Sequence, residues 1–584
     1  MKHKTVVDTS EGKWFNVPCA MNCGGRCLNK VYVKDGEIIR CKTDDTHEDS
    51  WEWPQARACP MGWSQRQKVF GEDRLQYPLK RKSWSPDNPN GHLRGRDEWE
   101  RISWDEAIEY IGNELIKARD SYGASSILYM NIINLEGYLS PVLAQFGGYT
   151  ATTSIDSMGT FQHKVDMYGF KNVNTNDRFD LVNADYIVLY GNNVAQAEFS
   201  SAYYLKPAHE KGVKFVFVGP EYNATAGTFD AEWFPVRQGT DTAFLLGVAH
   251  SMIKQGVIDK EFLDRCTVGF DEDHMPADAK TDENFLDYVL GKYDGVEKTP
   301  EWASEISGCP IEKIEKFARI VGAGHNTSIH ACGAPARNTG AENFPQLLMT
   351  IGAMGGHFGK PGNACSDDQQ YGSFDHGAKL AANGMSGHSF VFNPFAVNNP
   401  VTDNIPSTEL WSAILEGKYH HCGDVLLMPT PCEEREIDIH VIISEQNNRL
   451  QSYEGTSKGI EAFRKVDFVC AQAYWMKTDA RYADIVLPVA TRWERQMYNF
   501  YAMAASNRDM AFAHTQVFEP MYESKSDYDI ALLLGEKLGV DTSKFLSINE
   551  KQGWFNAIAT SSVIDESDHG EIVDGGNATD AVMG

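Results

Sequence analysis

Three cysteines within nine residues, Cys19, Cys23 and Cys27 of CAMNCGGRC, constrain what this chain can fold around more than any other segment. Three thiolates on one short, turn-rich segment repel one another unless a metal centre holds them. Zinc takes tighter C-x2–4-C pairs in two knuckles, whereas three clustered cysteines with one distant partner suit a four-cysteine iron–sulfur cluster. Spacing alone leaves both metals open and favours the cluster. A disulfide framework does not suit a chain of 584 residues that opens without a secretory leader. The fourth ligand is Cys41 or Cys59. Cys41 ends VYVKDGEIIRC, which alternates along two strands around an Asp35-Gly36 turn and so places Cys41 in a sheet. Cys59 lies in ARACPMG, where Pro60 and Gly62 supply loop geometry, and it fits the ligand role better. The cysteines from Cys266 onward stand in apolar or loop surroundings and read as small buried hydrophobes.

The remaining pattern is α/β. ADYIVLYGNN (184–193) is a buried-strand run ending in Gly191, Asn192 and Asn193; a helix through Ala208 and a second strand, VKFVFVGPE (213–221), follow. A βαβ unit favours a parallel sheet, and such sheets bind ligands at the carboxyl ends of their strands. The Gly191–Asn193 and Gly219-Pro220-Glu221 turns are therefore candidate cofactor loops. A second stretch repeats the order: DIHVIISEQNN from 438, a helix near 456–465, DFVCAQAYW (467–475) and YADIVLP (482–488). Ser103 with Glu106 forms a capping box ahead of a helix whose inner face carries Trp104, Ile108, Ile111 and Leu115. IGAMGGHFGKPGNAC (351–365) is Gly-rich, lacks the G-x-x-x-x-G-K-[ST] phosphate loop and reads as a closely packed loop. SDYDIALLLGEKLG predicts the last helix, and the acidic stretch from about Asp565 has almost no apolar periodicity.

Composition excludes several classes. With 54 basic against 81 acidic side chains the net charge is −27, which argues against nucleic acid and anionic membranes. No apolar run reaches the roughly 18 residues a spanning helix needs, so direct membrane insertion is not expected. MKHKTVVDTSEGKWFNVP lacks both an apolar leader core and a twin-arginine pair, and as written the chain reads as cytoplasmic.

In this order, CAMNCGGRC, RACPMG, WERISWDEAI, LYGNN, VRQGTDTAFLLGVAHSMI, DKEFLDRCTVGFD, TPEWASEISG and YADIVLPVATRWERQ resemble the catalytic subunit of the dimethyl sulfoxide reductase family of molybdopterin enzymes. The iron–sulfur-containing branch is the most similar, and the resemblance runs from about Asn16 to Val540. It implies a small N-terminal [4Fe-4S] domain with β-hairpins over 1–70, with Cys19, Cys23, Cys27 and Cys59 as cluster ligands. Two Rossmann-like α/β domains are implied to bind the cofactor, one discontinuous over 71–150 and 345–540, the other over 151–344. A weakly structured tail covers 541–584. The implied cofactor is molybdenum held by two molybdopterin guanine dinucleotides and by a serine after the GGY segment. In GGYTATTSIDSMGT (147–160) that serine matches Ser157, with Ser154 and Asp156 close by. An alkoxide suits oxidised molybdenum, a hard ion. Gly191, Asn192 and Asn193 match the family's strand-end loop, and Gly239, Thr240 and Asp241 its G-T-D loop, where a carboxylate takes paired donors from a guanine edge. Arg337 matches an arginine facing the metal, and Thr478 a hydroxyl position before YADIVLP.

The activity so implied is anaerobic removal of oxygen from an S-oxide or N-oxide, with electrons arriving through the cluster. The implied partners are an iron–sulfur electron-transfer subunit and, beyond it, a quinol-oxidising membrane anchor. A second reading uses the same cofactors for catechol-type dehydroxylation or transhydroxylation; a third is an inactive fragment. Three departures from the family pattern matter. Met61 stands two residues after Cys59, where lysine or arginine is usual, with Arg66 and Lys68 further on. Gly219-Pro220-Glu221 replaces an acid followed by Pro-Arg, so one nucleotide is gripped differently. Nothing after Val540 resembles the family's C-terminal β-barrel-like domain, so the expectation is a fragment or a second chain that supplies it. Relatives often carry a twin-arginine leader, and one upstream of Met1 would place the enzyme on the outer face of the cytoplasmic membrane.

Overall fold

The computed structural model describes residues 2–19, 27–131, 137–152, 176–197, 199–338, 340–341, 343–366, 381–382, 397–421, 432–496, 514–546, 549, 551–552, 562–564 and 572–573. Cys23 and Ser157, together with Ser154 and Asp156, lie outside the described residues.

Alternating apolar side chains build an antiparallel N-terminal sheet from β1 (Lys13–Asn16), β2 (Asn29–Lys34) and β3 (Glu37–Thr43). Asp35 and Gly36 both take positive φ, as a two-residue hairpin turn requires. Cys41 sits within β3 opposite Val31, where the alternation placed it. Cys59 caps the short helix α1 (Pro60–Trp63), and α2 (Gln65–Phe70) follows. Phe15, Val17, Val31, Val33 and Val69 form one apolar cluster with Trp493, Val517 and Phe518, which fastens this sheet to the later chain.

Next come the hairpin strands β4 (Leu79–Arg81) and β5 (Trp99–Arg101), then α3 (Trp104–Tyr122). The Ser103/Glu106 capping box is present, and Ile108, Ile111 and Leu115 are buried as the spacing predicts, whereas Trp104 is half-buried and Ala107 joins the inner face. β6 (Ile127–Met130), α4 (Leu139–Phe146) and β7 (Ala151–Thr152) complete this stretch. The first parallel sheet comprises β8 (Tyr186–Tyr190), β9 (Lys214–Gly219) and β10 (Glu232–Pro235), then β11 (Thr327–Ala331) and β12 (Ala364–Ser366), in the order β10-β9-β8-β11-β12. Helices α5 (Phe199–Lys211), α6 (Asp241–Gln255) and α7 (Phe344–Gly355) belong to it. Two expectations change here. The Gly-rich stretch from 351 opens inside α7, because Phe344, Leu347, Leu348, Ile351 and Met354 recur at helical spacing and are buried. β12 then pairs with β11, so this unit runs to Ser366, past the boundary expected at 344.

The second sheet adds β13 (Val441–Ser444), β14 (Phe468–Ala473) and β15 (Ile485–Pro488), with α8 (Thr456–Lys465) and the late helix α9 (Asp527–Lys537). Its order is β5-β4-β15-β14-β13-β6, with β6, β13, β14 and β15 parallel and the β4–β5 hairpin antiparallel at the edge. Within YADIVLP, Asp484 is the anchor: its Oδ1 accepts Arg81 Nη2 at 2.7 Å and Arg94 Nε at 3.0 Å, and its Oδ2 accepts the Val469 N–H at 2.9 Å. All three side chains are fully buried. The mixed α/β class is as expected. Of the tail after 541, the described pieces include a 3-10 turn (Thr542–Lys544) and two short paired strands, Ser562–Ile564 and Ile572–Val573. Among the described residues no helix is long and apolar enough to cross a membrane.

Candidate functional site

The parallel strands of the first sheet deliver three loops to one edge. Gly191, Asn192 and Asn193 follow β8, Gly239 and Thr240 lead into α6, and Cys332 to Asn338 follow β11. Cys332 Sγ donates to Gly191 O at 3.0 Å, Gln238 Nε2 donates to Asn338 Oδ1 at 3.0 Å, and Asn192 Nδ2 donates to His330 O at 2.7 Å. Asn193 Oδ1 accepts the Thr225 hydroxyl at 3.1 Å, which ties this loop to the turn after β9. Asp241 is buried, and its Oδ1 accepts the Tyr190 hydroxyl at 3.0 Å. Burial raises its carboxyl to about 6, against the lowering effect of that hydrogen bond. Arg337 is exposed beside Cys332, on the same loop. Gly191 needs its missing side chain: φ is +69°, and a Cβ would stand 3.1 Å from Pro335 Cγ and 3.3 Å from Cys332 Sγ. Gly191→Ala is therefore expected to destabilise the fold by about 1–3 kcal/mol, read as a lower denaturant midpoint.

The second sheet presents its own loops. Thr478 opens a short helix, Thr478–Arg481, and its Oγ1 donates to Gln451 Oε1 at 3.3 Å. Its neighbour Asp479 is fully buried and does the joining: it accepts Ser444 Oγ at 2.9 Å, Arg449 N at 3.0 Å and Leu450 N at 2.9 Å. Lys477 donates to Asn447 O, so the loops after β13 and β14 are locked together.

Cys19 and Cys27 face each other across an isolated antiparallel bridge, the ends of the segment that holds Cys23. Leu28 N donates to Ala56 O at 2.9 Å and Asn29 Nδ2 to Gly62 O at 3.0 Å, which brings the Cys59 turn alongside Cys27. Next to this group a set of cations gathers, of which the sequence pointed only to Lys68. Lys68 of α2 lies over the rings of Tyr474 and Trp475, at 5.1 and 5.8 Å, in the loop after β14. Burial, then Arg492, pull its ammonium down to about 8, while Cys19 acts the other way. Arg74 and Arg495 are matched by Glu494 (3.1 Å) and Asp527 (3.0 Å), but no acid of the described residues lies within ion-pair distance of Lys68 or Lys477.

His514 completes the set. It is 6% exposed, and neither ring nitrogen finds a partner among the described residues. Burial, then Arg492 and Arg495, hold the imidazole neutral, with its pKa lowered to about 3. Between the ordinary 6.5 and about 3 the unfolded chain binds this proton and the folded chain does not. Stability therefore falls as pH drops through that window. His514→Asn is expected to flatten this part of the profile of melting temperature against pH. Lys477 and Asp479 flank a residue the sequence did single out, so adjacency was the available signal for them. Lys68, Arg492 and His514 meet only through the tertiary fold.

A family model described as molybdopterin oxidoreductase matches residues 74–537. The chain is 29% identical over 590 residues to dimethyl sulfoxide reductase DmsA of Escherichia coli K12, covering 95% of this chain and 68% of that protein. It is 31% identical to the DmsA of Haemophilus influenzae, covering 92% of this chain and 66% of the relative. The pyrogallol hydroxytransferase large subunit of Pelobacter acidigallici is 26% identical, with 88% and 67% covered. Acetylene hydratase of Pelobacter acetylenicus shares the fold, with a TM-score of 0.65 at 21% identity over 93% of this chain and 71% of that one. The chain thus spans about two thirds of the length of these curated relatives.

Proposed function

The chain belongs to the molybdopterin oxidoreductase family, and on that premise we propose a specific reaction and route for its electrons. It is an oxidoreductase that removes the oxygen atom of an S-oxide or N-oxide, with electrons entering through a [4Fe-4S] cluster on Cys19, Cys23, Cys27 and Cys59. Relatives named as sulfoxide and N-oxide reductases support this choice of substrate class. The observation that carries the reading is the pair of cations Lys68 and Lys477, with no acid of the described residues within ion-pair distance, gathered with neutral His514 near Cys19 and the loop after β14.

These residues fit an anionic pterin nucleotide. Half-buried ammonium groups such as Lys68 and Lys477, without acidic partners among the described residues, cost stability unless an anion meets them. Gly191 takes a left-handed φ of +69°, a turn geometry in which successive backbone amides can face a diphosphate. Family membership implies a molybdopterin; two guanine dinucleotides and Ser157 as the metal's side-chain ligand complete the proposal. Gly191, Asn192, Asn193, Gly239, Thr240 and Asp241 would hold one nucleotide from the first sheet, and Thr478 would reach the other from the second. Arg337 would orient the oxide oxygen. The bound molybdenum supplies the two-electron, oxygen-accepting chemistry. Lys68 takes the bridging position that Met61 leaves without a charge, next to Cys19 on one side and Tyr474 and Trp475 on the other. The partners in this reading are an iron–sulfur electron-transfer subunit and a quinol-oxidising membrane anchor.

Anaerobic oxidation of reduced methyl viologen tests the reading, with dimethyl sulfoxide and trimethylamine N-oxide compared with pyrogallol and catechol. Oxide-dependent turnover is expected. The pyrogallol hydroxytransferase relative makes the rival concrete, and turnover on the phenols alone would overturn the oxide reading.

A further inference from the structure

One polar feature near these loops serves none of the roles above. In the second sheet Met130 of β6 stands opposite Ser444 of β13, and Ser444 opposite Ala471 of β14. One residue further, each strand presents a polar side chain on the same face: Asn131, Glu445 and Gln472. They are 6%, 0% and 3% exposed. That face is otherwise apolar, with Ile127, Ile443, Phe468, Cys470 and Leu487 in one core cluster. Desolvating polar side chains costs stability that apolar ones would not, so core packing gives no reason for three in a row.

The row is linked internally and to the site. The Tyr129 hydroxyl donates to the Glu445 carboxylate, and Asn131 Nδ2 donates to Tyr129 Oη at 2.9 Å. Asn131 Oδ1 and Gln472 Oε1 receive no hydrogen from any described residue. A Cβ on Gly137 would come within 2.7 Å of Asn131 Nδ2 and 3.0 Å of Tyr129 Oη, so the chain closes tightly over the pair. The Tyr129 ring meets Tyr149 edge-on at 5.1 Å, just ahead of β7. At the other end, Asn447 Nδ2 donates to Glu445 O at 2.8 Å, and Lys477 donates to Asn447 O.

We propose that Tyr129, Asn131, Glu445 and Gln472, with water bridging the two unpartnered oxygens, form a proton route to the reaction site. The proposal rests on the oxide-reduction reading. In that reaction the sulfur–oxygen or nitrogen–oxygen bond breaks, two electrons arrive from a reduced iron–sulfur partner, and two protons complete a water molecule with the released oxygen. Glu445 is the member that changes protonation. Tyr129 is held well above the ordinary phenol value, by burial first and then by Glu445, so it passes a proton along its hydroxyl without ionising. Among the described residues, Tyr149, pushed up to about 12 by burial, and Cys470 of β14, pushed up by burial and by Asp484 and Glu445, also face Glu445. Arg449 donates to Asn131 O at 2.8 Å, and Asp479 caps the adjoining loop.

Glu445→Gln keeps size and hydrogen bonding but cannot titrate, and Gln472→Leu dries the row without touching the acid. In the viologen assay both are expected to lower kcat about 10- to 100-fold with little change in KM. Glu445→Gln should also move the alkaline limb of the pH profile, Glu445→Asp should restore part of the rate, and melting temperatures should stay near wild type. Wild-type kcat and pH profile in both variants would overturn the route; should Glu445→Gln fail to fold, Gln472→Leu decides. A crystal structure gives the readout that does not depend on turnover. Ordered water within hydrogen-bond distance of Asn131 Oδ1 and Gln472 Oε1 supports the route, and a dry row overturns it. If the wild type reduces no oxide, the parent reading fails while the water positions still test the row.

Discussion

Asp484→Asn is expected to lower the unfolding free energy by about 3–5 kcal/mol, because it removes the acidic partner of buried Arg94 and leaves buried Arg81 only Asp97, at 3.1 Å. Arg81 and Arg94 are fully buried and both close on this one carboxylate, which also accepts the Val469 N–H of β14. Arg94 further donates to Val466 O at 2.7 Å and Asp467 O at 3.0 Å, so the network staples the β4–β5 region to the α8–β14 connection. Asparagine keeps one acceptor and loses the charge that offsets two desolvated cations. Urea unfolding followed by tryptophan fluorescence should show a much lower midpoint at an unchanged slope. A wild-type midpoint would mean that the network does not set the stability of this sheet.

Cys59→Ala is expected to empty the iron site while leaving the fold in place. Cys59 is the N-cap of α1 in extended geometry, yet its side chain makes no cap hydrogen bond, so the thiol has no structural duty there. Cys41 is the control: it is part of β3, and burial raises its thiol above the ordinary value. Cys59→Ala should lose its visible iron–sulfur absorbance and bind iron at least about 100-fold more weakly, whereas Cys41→Ala should keep both. Iron retained by Cys59→Ala and lost by Cys41→Ala would reverse the choice of fourth ligand.

The parts of the fold that were legible in the sequence rest on local signals. The Asp35-Gly36 hairpin, the Ser103/Glu106 capping box and the two strand–helix–strand stretches each declare themselves within a few residues. Residues 351–355 were misread because glycine content outweighed an apolar spacing that begins at Phe344. The site divides in the same way. Gly191 to Asn193 and Gly239 to Asp241 stand at strand and helix ends, where pattern alone points to ligand loops. Lys68 is marked only as a basic residue beyond Met61, and His514 carries no mark at all. Each is a single polar residue whose meaning comes from partners the fold brings in, Tyr474 hundreds of positions away for Lys68, and Arg492 and Arg495 with the long-range Asn16–Thr515 contact for His514. The row Asn131, Glu445 and Gln472 is similar: only strand register shows that three isolated residues stand side by side.

Molybdenum and iron content of the anaerobically purified chain tests the central claim most directly. One molybdenum and about four iron atoms per chain are predicted, from a pterin-held metal and one four-cysteine cluster. Iron without molybdenum would contradict the account, since the loops of the two sheets and the cations around His514 would then hold no metal cofactor.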